Sequence, residues 1–523
     1  MNLVRVLITA LILALCACGG DGDTGNTAPD GAADCGTWDH RGSTEPDLSE
    51  LPGIILEDHR EWVDLFWVAW EIARAKIQTG TSENGFVEAY MDEGFSKNIY
   101  QWDTIFMTLF GRYSNGEFPS IVSLENFYRK QHDNGYICRE IRESDGTDFI
   151  YRTLNDTVNP PLFAWAEWQH YLVTGDPSRF TQEVNGKTVL ERLVDHFHWI
   201  KDNRRRDNGL YWTTGLASGA DNTPNVGHVW VDLSVQQALN ALTIARIADV
   251  VGDTETRDLF EAEYGQLSEL INELLWDDTE GFYHNLTEDG SFLRCKTPAG
   301  FWPMVASLAD DYRSGRLVAH VINPSEFWRS HVIPSLSADH PQYSPLGFYW
   351  RGSVWAPWLY HTIKGLEARG FGSLAHEASI NHVENLVQVL KWTGTIWENY
   401  SPDWPIPGIP AKPDFVGWSG LGPIALLIEN ILGIRARAPS DSILWDIRLT
   451  ERHGITNLRF CNNTVSLICE RRETAMSPAE ITAVTDNPFS LTVNIGPSSF
   501  THPIPPGTTV IYTDPQRARS LLQ

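Results

Sequence analysis

Between about Asp58 and Leu432, apolar residues recur at spacings of three and four, the mark of helices that bury one face. In Glu61–Ile77, Trp62, Phe66, Trp70, Ala73 and Ile77 share such a face, and Leu233, Leu239, Leu242, Ile244 and Ile247 repeat the pattern in Val231–Val251. The same period predicts helices over Tyr100–Tyr113, Ser120–Gln131, Pro161–Val173, Leu190–Asn203, Glu255–Leu275 and Ala299–Leu308. Gly315–Val321, Val354–Arg369, Ser373–Lys391 and Ser419–Leu432 complete a set of twelve. After Ile434 the period drops to two, in Ile443–Leu449, Thr464–Glu470, Phe489–Ile495 and Thr508–Tyr512. Asn462-Asn463, Asp486-Asn487-Pro488 and Pro505-Pro506-Gly507 punctuate these runs as turns.

Three long loops rich in glycine and aromatics interrupt the helices: Gly209–His228, His340–Gly352 and Thr393–Gly417. Structured loops of that length in a compact domain are usually functional. Twelve helices with such loops suggest a mainly α fold of two concentric rings of six, an (α/α)6 barrel, with the site at one end. The expected organisation is a helical domain over residues 50–435 and a small C-terminal antiparallel β domain over 436–523.

The N-terminus is read as a targeting segment, residues 1–18. Arg5 supplies a positive start, and Val6–Leu15 is an apolar run too short to span a bilayer. The following Leu15-Cys16-Ala17-Cys18-Gly19 resembles a bacterial lipobox, which makes Cys18 the expected lipidation site and sole membrane anchor. An ordinary cleaved signal is the other reading. Residues 19–49, with their Gly, Asp, Thr and Pro, are expected to be a flexible tether. Cys35, Cys138, Cys295, Cys461 and Cys469 remain, an odd and dispersed set without metal-ligand spacing. A Cys138–Cys295 pair is open to such a chain outside the cytoplasm, although nothing in the sequence requires one.

Composition narrows the chemistry. The 523 residues carry a formal charge of −27, which argues against nucleic acid as a partner. They also include 21 Trp, more than a core needs. Flat aromatic faces suit the C–H faces of sugar rings, so carbohydrate is the expected partner. Hydrolysing a glycosidic bond takes two carboxyl groups, one protonated and one ionised. Among 67 acids the informative ones stand in aromatic or glycine-rich loops. Asp221 lies in Gly215-Leu216-Ala217-Ser218-Gly219-Ala220-Asp221-Asn222, although Asp-Asn-x-Pro is also plain turn chemistry. Glu398 is flanked by Trp397 and Tyr400, and Trp102-Asp103 opens an apolar helix where Asp103 can equally serve the helix dipole. In Phe348-Tyr349-Trp350-Arg351-Gly352, three aromatics precede an Arg that suits either a sugar platform or a carboxylate partner.

Taken in order, Gln101-Trp102-Asp103, Asn159-Pro160-Pro161, Ser218-Gly219-Ala220-Asp221-Asn222, Tyr349-Trp350-Arg351-Gly352 and Trp397-Glu398-Asn399-Tyr400 resemble the motifs of glycoside hydrolase family 63. The closer likeness is to its bacterial mannosylglycerate hydrolase-like branch, with family 37 trehalases more distant. The resemblance implies an (α/α)6 barrel and hydrolysis with inversion, Asp221 acting as general acid and Glu398 as general base. It further implies that Trp102 and Asp103 hold the non-reducing sugar, that Tyr349, Trp350 and Arg351 wall the site beside Trp397, and that Gly219 gives a close backbone contact. Asn159 stands where several relatives carry a sugar-binding Gln. Inversion would set the two carboxyl groups about 6.5–9.5 Å apart. No cofactor or metal is required by this scheme. The alternatives are a sugar epimerase or lyase on the same ring, disfavoured because none of the 16 His falls in these motifs, and a non-catalytic glycan-binding lipoprotein. With no cation to nominate beyond Arg351, a neutral α-glucoside is the expected substrate.

Overall fold

The computed structural model describes residues 33–515. Twelve main helices follow the periodicity closely: α1 Arg60–Ala75, α2 Gln101–Gly111, α3 Glu125–Arg129, α4 Phe163–Thr174, α5 Val189–Arg204 and α6 Val231–Val251. After them come α7 Thr254–Leu274, α8 Trp302–Val305, α9 Asp311–Val321, α10 Ala356–Ala368, α11 Gly372–Thr393 and α12 Gly422–Leu432. Local chemistry sets several ends. Thr188 and Glu191 form a reciprocal capping box at the start of α5, and Gly252 closes α6 in the left-handed conformation. Three expected helices are less regular. Ser120–Gln131 splits into a 3-10 turn, Ile121–Leu124, and the short α3; Ala299–Leu308 reduces to the turn Pro298–Phe301 and α8; α12 is π-helical and follows a 3-10 turn at Trp418–Leu421.

Burial sorts the helices by number. All eleven residues of α2 are buried, whereas the much longer α7 buries only Phe260, Leu267 and Ile271. A helix buried on every side belongs inside, and one with a single apolar stripe belongs outside. The even-numbered helices also touch in sequence: α2 packs on α4, α4 on α6, α6 on α8 and α8 on α10. Helix α10 then meets the Trp418–Leu421 turn, which returns to α2. The odd-numbered helices lie against these, for example α5 and α7 on α6, and α11 on α10 and α12. Among the described residues no helix is long and apolar enough to cross a membrane.

The β region differs from expectation in three ways. One sheet has the strand order β1-β4-β5-β6-β9, with β1 Gly53–Leu56, β4 His453–Phe460, β5 Asn463–Cys469, β6 Ala479–Thr485 and β9 Gly507–Thr513. Thus β1, from ahead of the helices, pairs with β4 and ties the two ends of the chain together. The second sheet runs β2-β3-β7-β8, with β2 Ile434–Arg437, β3 Ser442–Asp446, β7 Phe489–Ile495 and β8 Ser498–Ile504. Strand β2 straddles the expected boundary at residue 435, and β3 pairs with β7 in parallel, so the region is not wholly antiparallel. The inner faces meet through Phe460 and Phe489, ring centroids 5.6 Å apart, and through Trp445 and His453 at 5.8 Å.

The expected tether is corrected where it is described. Residues 33–49 are fixed to the body: Trp38 N donates to Asp176 at 2.8 Å, Arg459 lies 4.0 Å from the Trp38 ring centroid, and Cys35 forms a disulfide with Cys461. Cys138 and Cys295 are separate, buried thiols rather than a pair. The expected leader, lipid-bearing Cys18 and residues 19–32 lie outside the described residues.

Candidate active site

Each of the five motifs stands in the first turn of an even-numbered helix or in the loop that leads into one. Asp103 opens α2, Asn159 precedes α4, Asp221 precedes α6, Tyr349 and Trp350 precede α10, and Glu398 precedes α12. The alternation of helices therefore delivers five distant motifs to one end of the inner helices.

The loop carrying Asp221 is a series of tight turns. Ser218 N donates to Thr214 O at 2.8 Å, and Thr223 N to Ala220 O at 3.0 Å. Gly219 has φ +81°, and a Cβ there would enter the van der Waals envelope of the Trp102 indole. Only glycine meets both demands. Asn222 then braces this loop to the aromatic one: its Nδ2 donates to Phe348 O at 3.0 Å, and its Oδ1 accepts from Trp350 N at 2.8 Å. Arg351 Nε donates to Asn222 O at 3.0 Å, so its partner is a backbone carbonyl and not a catalytic carboxylate. Phe348 and Tyr349 both have positive φ, 43° and 63°. Consecutive bulky residues in that region are strained, which is characteristic of sites held by function. Phe348 is thrown outward and Tyr349 is aimed at Glu398, its hydroxyl donating to Oε1 at 3.3 Å.

Glu398 is buried, and its remaining bonds are long: Lys412 N at 3.2 Å and Asn399 Nδ2 at 3.5 Å, both to Oε2. Burial pushes its carboxyl up to about 7, with the Asp221 charge adding to the rise and Lys412 opposing it. Asp221 is exposed to solvent at the site yet closely surrounded by protein. That crowding pushes it up to about 6; Arg139 and Arg152 pull it down and Glu140 pushes it up. Asp103 is buried, with its carboxyl held well above the usual range, first by burial and then by the charge of Glu398. Tyr349 is raised by burial and then by Glu398, Asp221 and Asp103 in turn, so its hydroxyl stands among all three acids.

The aromatic wall is partly corrected. Trp350 is buried and lies flat on Trp355, centroids 4.0 Å apart, offering no open face; it backs the site rather than lining it. Trp102 packs near Trp350 and Trp418 at 5.9 and 5.8 Å. Trp397 is half-buried, with Nε1 bound to Thr393 Oγ1 at 3.1 Å. Asn159 bridges to the acid loop through Nδ2 and Ala217 O at 3.4 Å.

Four side chains escaped the sequence reading. Arg139, Arg152 and Lys412 carry no local signal, because their charge matters only where the fold sets it beside Asp221 or Glu398. Glu93, in Met91-Asp92-Glu93-Gly94-Phe95, does meet the criterion of an acid beside glycine and an aromatic. The nearest approach to a metal-ligand set among the described residues is Asp277, Glu280 and His284. There Arg294 pairs with Asp277 at 2.7 Å, supplying the positive charge that an ion would bring.

Carboxyl groups raised by burial, on loops braced to one another and backed by indoles, have the make-up expected of a glycoside hydrolase site. Residues 96–404 match the mannosylglycerate hydrolase MGH1-like glycoside hydrolase domain, and the chain belongs to that family, of the family 63 type. An uncharacterized protein of Borreliella burgdorferi is 28% identical over 89% of this chain and 98% of its own length. Mannosylglycerate hydrolase MGH1 of Selaginella moellendorffii is 31% identical over 30% of each chain, and a probable mannosyl-oligosaccharide glucosidase of Schizosaccharomyces pombe is 23% identical over 47% of this chain and 34% of its own. The chain thus matches about a third of the length of those two relatives. The fold is shared with the family 63 mannosylglycerate hydrolase of Thermus thermophilus solved with glucose, at TM-score 0.54 and 17% identity over 69% of this chain and 99% of that one. It is shared too with neutral trehalase Nth1 of Saccharomyces cerevisiae, at TM-score 0.51 and 13% identity over 69% and 79%.

Proposed function

We propose that this glycoside hydrolase is an (α/α)6 barrel that cleaves an α-linked glycoside with inversion, Asp221 donating a proton to the leaving oxygen and Glu398 activating water on the opposite face. The alternation of buried and outer helices, and the return of the Trp418–Leu421 turn to α2, support the closed double ring. The observation that carries the chemistry is the placement of Tyr349: bonded to Glu398, and joined through the Phe348 and Trp350 backbone to Asn222 beside Asp221. One brace therefore fixes both acids relative to a common point. The aglycone is more open than the sequence suggested. Arg139 and Arg152 both act on Asp221, but Arg139 is committed to Glu140 and the Leu216 carbonyl, so the exposed Arg152 is the cation on the leaving-group side that suits a carboxylate such as glycerate.

The test is a panel of α-linked aryl glycosides, disaccharides, and glucosyl- and mannosylglycerate, with NMR of the anomer first released. Asp221→Asn and Glu398→Gln are expected to lower kcat by about 10²–10⁴ with the fold intact. Wild-type turnover in either variant, or a retained anomer, overturns the assignment. Attachment to a membrane through a lipid on Cys18 is part of the same reading. The Cys35–Cys461 disulfide supports export, since such bonds persist in oxidising compartments. A Cys18→Ser variant that still labels with fatty acid would overturn the anchor.

A further inference from the structure

Around the start of α2 the carboxyls of Asp92 and Glu93 are hydrogen-bonded to each other, while Asp103 Oδ1, Gln101 Oε1, Asn159 Oδ1 and the second oxygen of Glu93 are buried acceptors without a side-chain donor. All five side chains are at most 3% exposed. The nitrogens of the two amides, in contrast, are engaged. Gln101 Nε2 donates to Pro160 O at 3.3 Å and Asn159 Nδ2 to Ala217 O at 3.4 Å, which fixes both amides with oxygen outward. An orphaned buried acceptor is costly, so a folded chain seldom keeps several without purpose. Apart from the carboxyl protons that burial retains, the set lacks donors, and a ligand that donates hydrogen bonds from several positions, as the hydroxyls of a sugar do, answers it.

Glu93 lies just ahead of the stretch that matches the family. It is nevertheless walled in by the loop that carries Glu398. A Cβ on Gly417 would stand 2.9 Å from Glu93 Cβ, and Phe95 lies 5.7 Å from Phe415, centroid to centroid. The neighbouring Trp418 donates through Nε1 to Glu398 O at 2.9 Å and packs on Trp102. Burial, then the charge of Asp92 and then that of Asp103, hold the Glu93 carboxyl well above its usual range, so Glu93 lies near both.

We propose that Glu93 is a glycon-binding residue that, with Asp103, receives hydroxyl hydrogens from the non-reducing-end sugar. This rests on the hydrolase reading for which end of the substrate lies there, but not on the roles of Asp221 and Glu398. The pair forms a two-carboxyl clamp, with Gln101 and Asn159 offering further acceptors. It selects a ring with adjacent free hydroxyls and rejects one in which they are missing.

The clamp is tested on the full chain by calorimetry with glucose, mannose and their 3-, 4- and 6-deoxy forms, for wild type, Glu93→Gln and Glu93→Asp. The second variant keeps the carboxyl but withdraws it, guarding against a folding defect in the first. Expected is a loss of at least fivefold in affinity for the parent hexose that disappears, to within twofold, for the deoxy sugar lacking the clamped hydroxyl. A loss uniform across the panel, or none above twofold, overturns the proposal, as does wild-type protein that binds none of these sugars. Wild-type protein that binds them but hydrolyses no glycoside would overturn only the hydrolase reading.

Discussion

Asp221 and Glu398 show how far residue identity is from residue state. The assigned acid is raised to about 6 and the assigned base to about 7, each first by burial, so the two carboxyls titrate close together, Glu398 the later. A narrow bell of kcat/KM against pH is expected, with limbs near 6 and 7. Lys412 lowers the Glu398 carboxyl, so Lys412→Gln should move the upper limb to higher pH. An unmoved limb would show that another group sets it. Stability follows the same carboxyl. Its folded value lies above its unfolded one, so its contribution is full below about pH 4.5 and is lost as pH rises through 7. Glu398→Gln is therefore expected to be more stable than wild type at pH 8, by about 3 kcal/mol, and to gain little at pH 4.5. Denaturant melts at the two pH values check this.

At the scale of elements, the loops ahead of α2, α6, α10 and α12 carry the proposed acids and the residues that brace them, and their conformations are tied to one another. Gly219 shows the tie most directly: its left-handed backbone and its contact with Trp102 both exclude a side chain. Gly219→Ala is expected to cost about 1–3 kcal/mol and to reduce kcat sharply, read by urea melts and by turnover. A variant with native stability and activity would mean that Trp102 can yield. The helices themselves were legible because a period near 3.6 is a local property: Val231–Val251 appears at its expected limits, and Arg60–Ala75 lies within two residues of them. The strand Gly53–Leu56 was not, since four residues carry too little pattern and its partner lies four hundred positions away.

The molecule as a whole is closed by that strand and by the Cys35–Cys461 bond, which together bind the N-terminal segment to the β region. Cross-linking positions 426 residues apart restricts the unfolded chain, and its loss is expected to cost about 2–4 kcal/mol. Cys35→Ser should lower Tm while leaving kcat unchanged, because the bond lies on the Pro439 side of the molecule and touches no site residue. A parallel loss of activity at temperatures where the variant is folded would contradict that separation.

The sequence alone determined the twelve helices, the change to a period of two after Ile434, and five motifs whose acids and aromatics point to sugar chemistry. These are short-range patterns, written within ten or twenty residues. Only the tertiary structure decided which indoles have free faces, where Arg351 sends its guanidinium, and which cysteines pair. It alone set Arg139, Arg152 and Lys412 beside the two acids, and buried the carboxyl of Glu93 near those of Asp92 and Asp103. Each of these depends on groups far apart in the chain being brought within a few ångströms, where burial and charge act through space and not along the backbone.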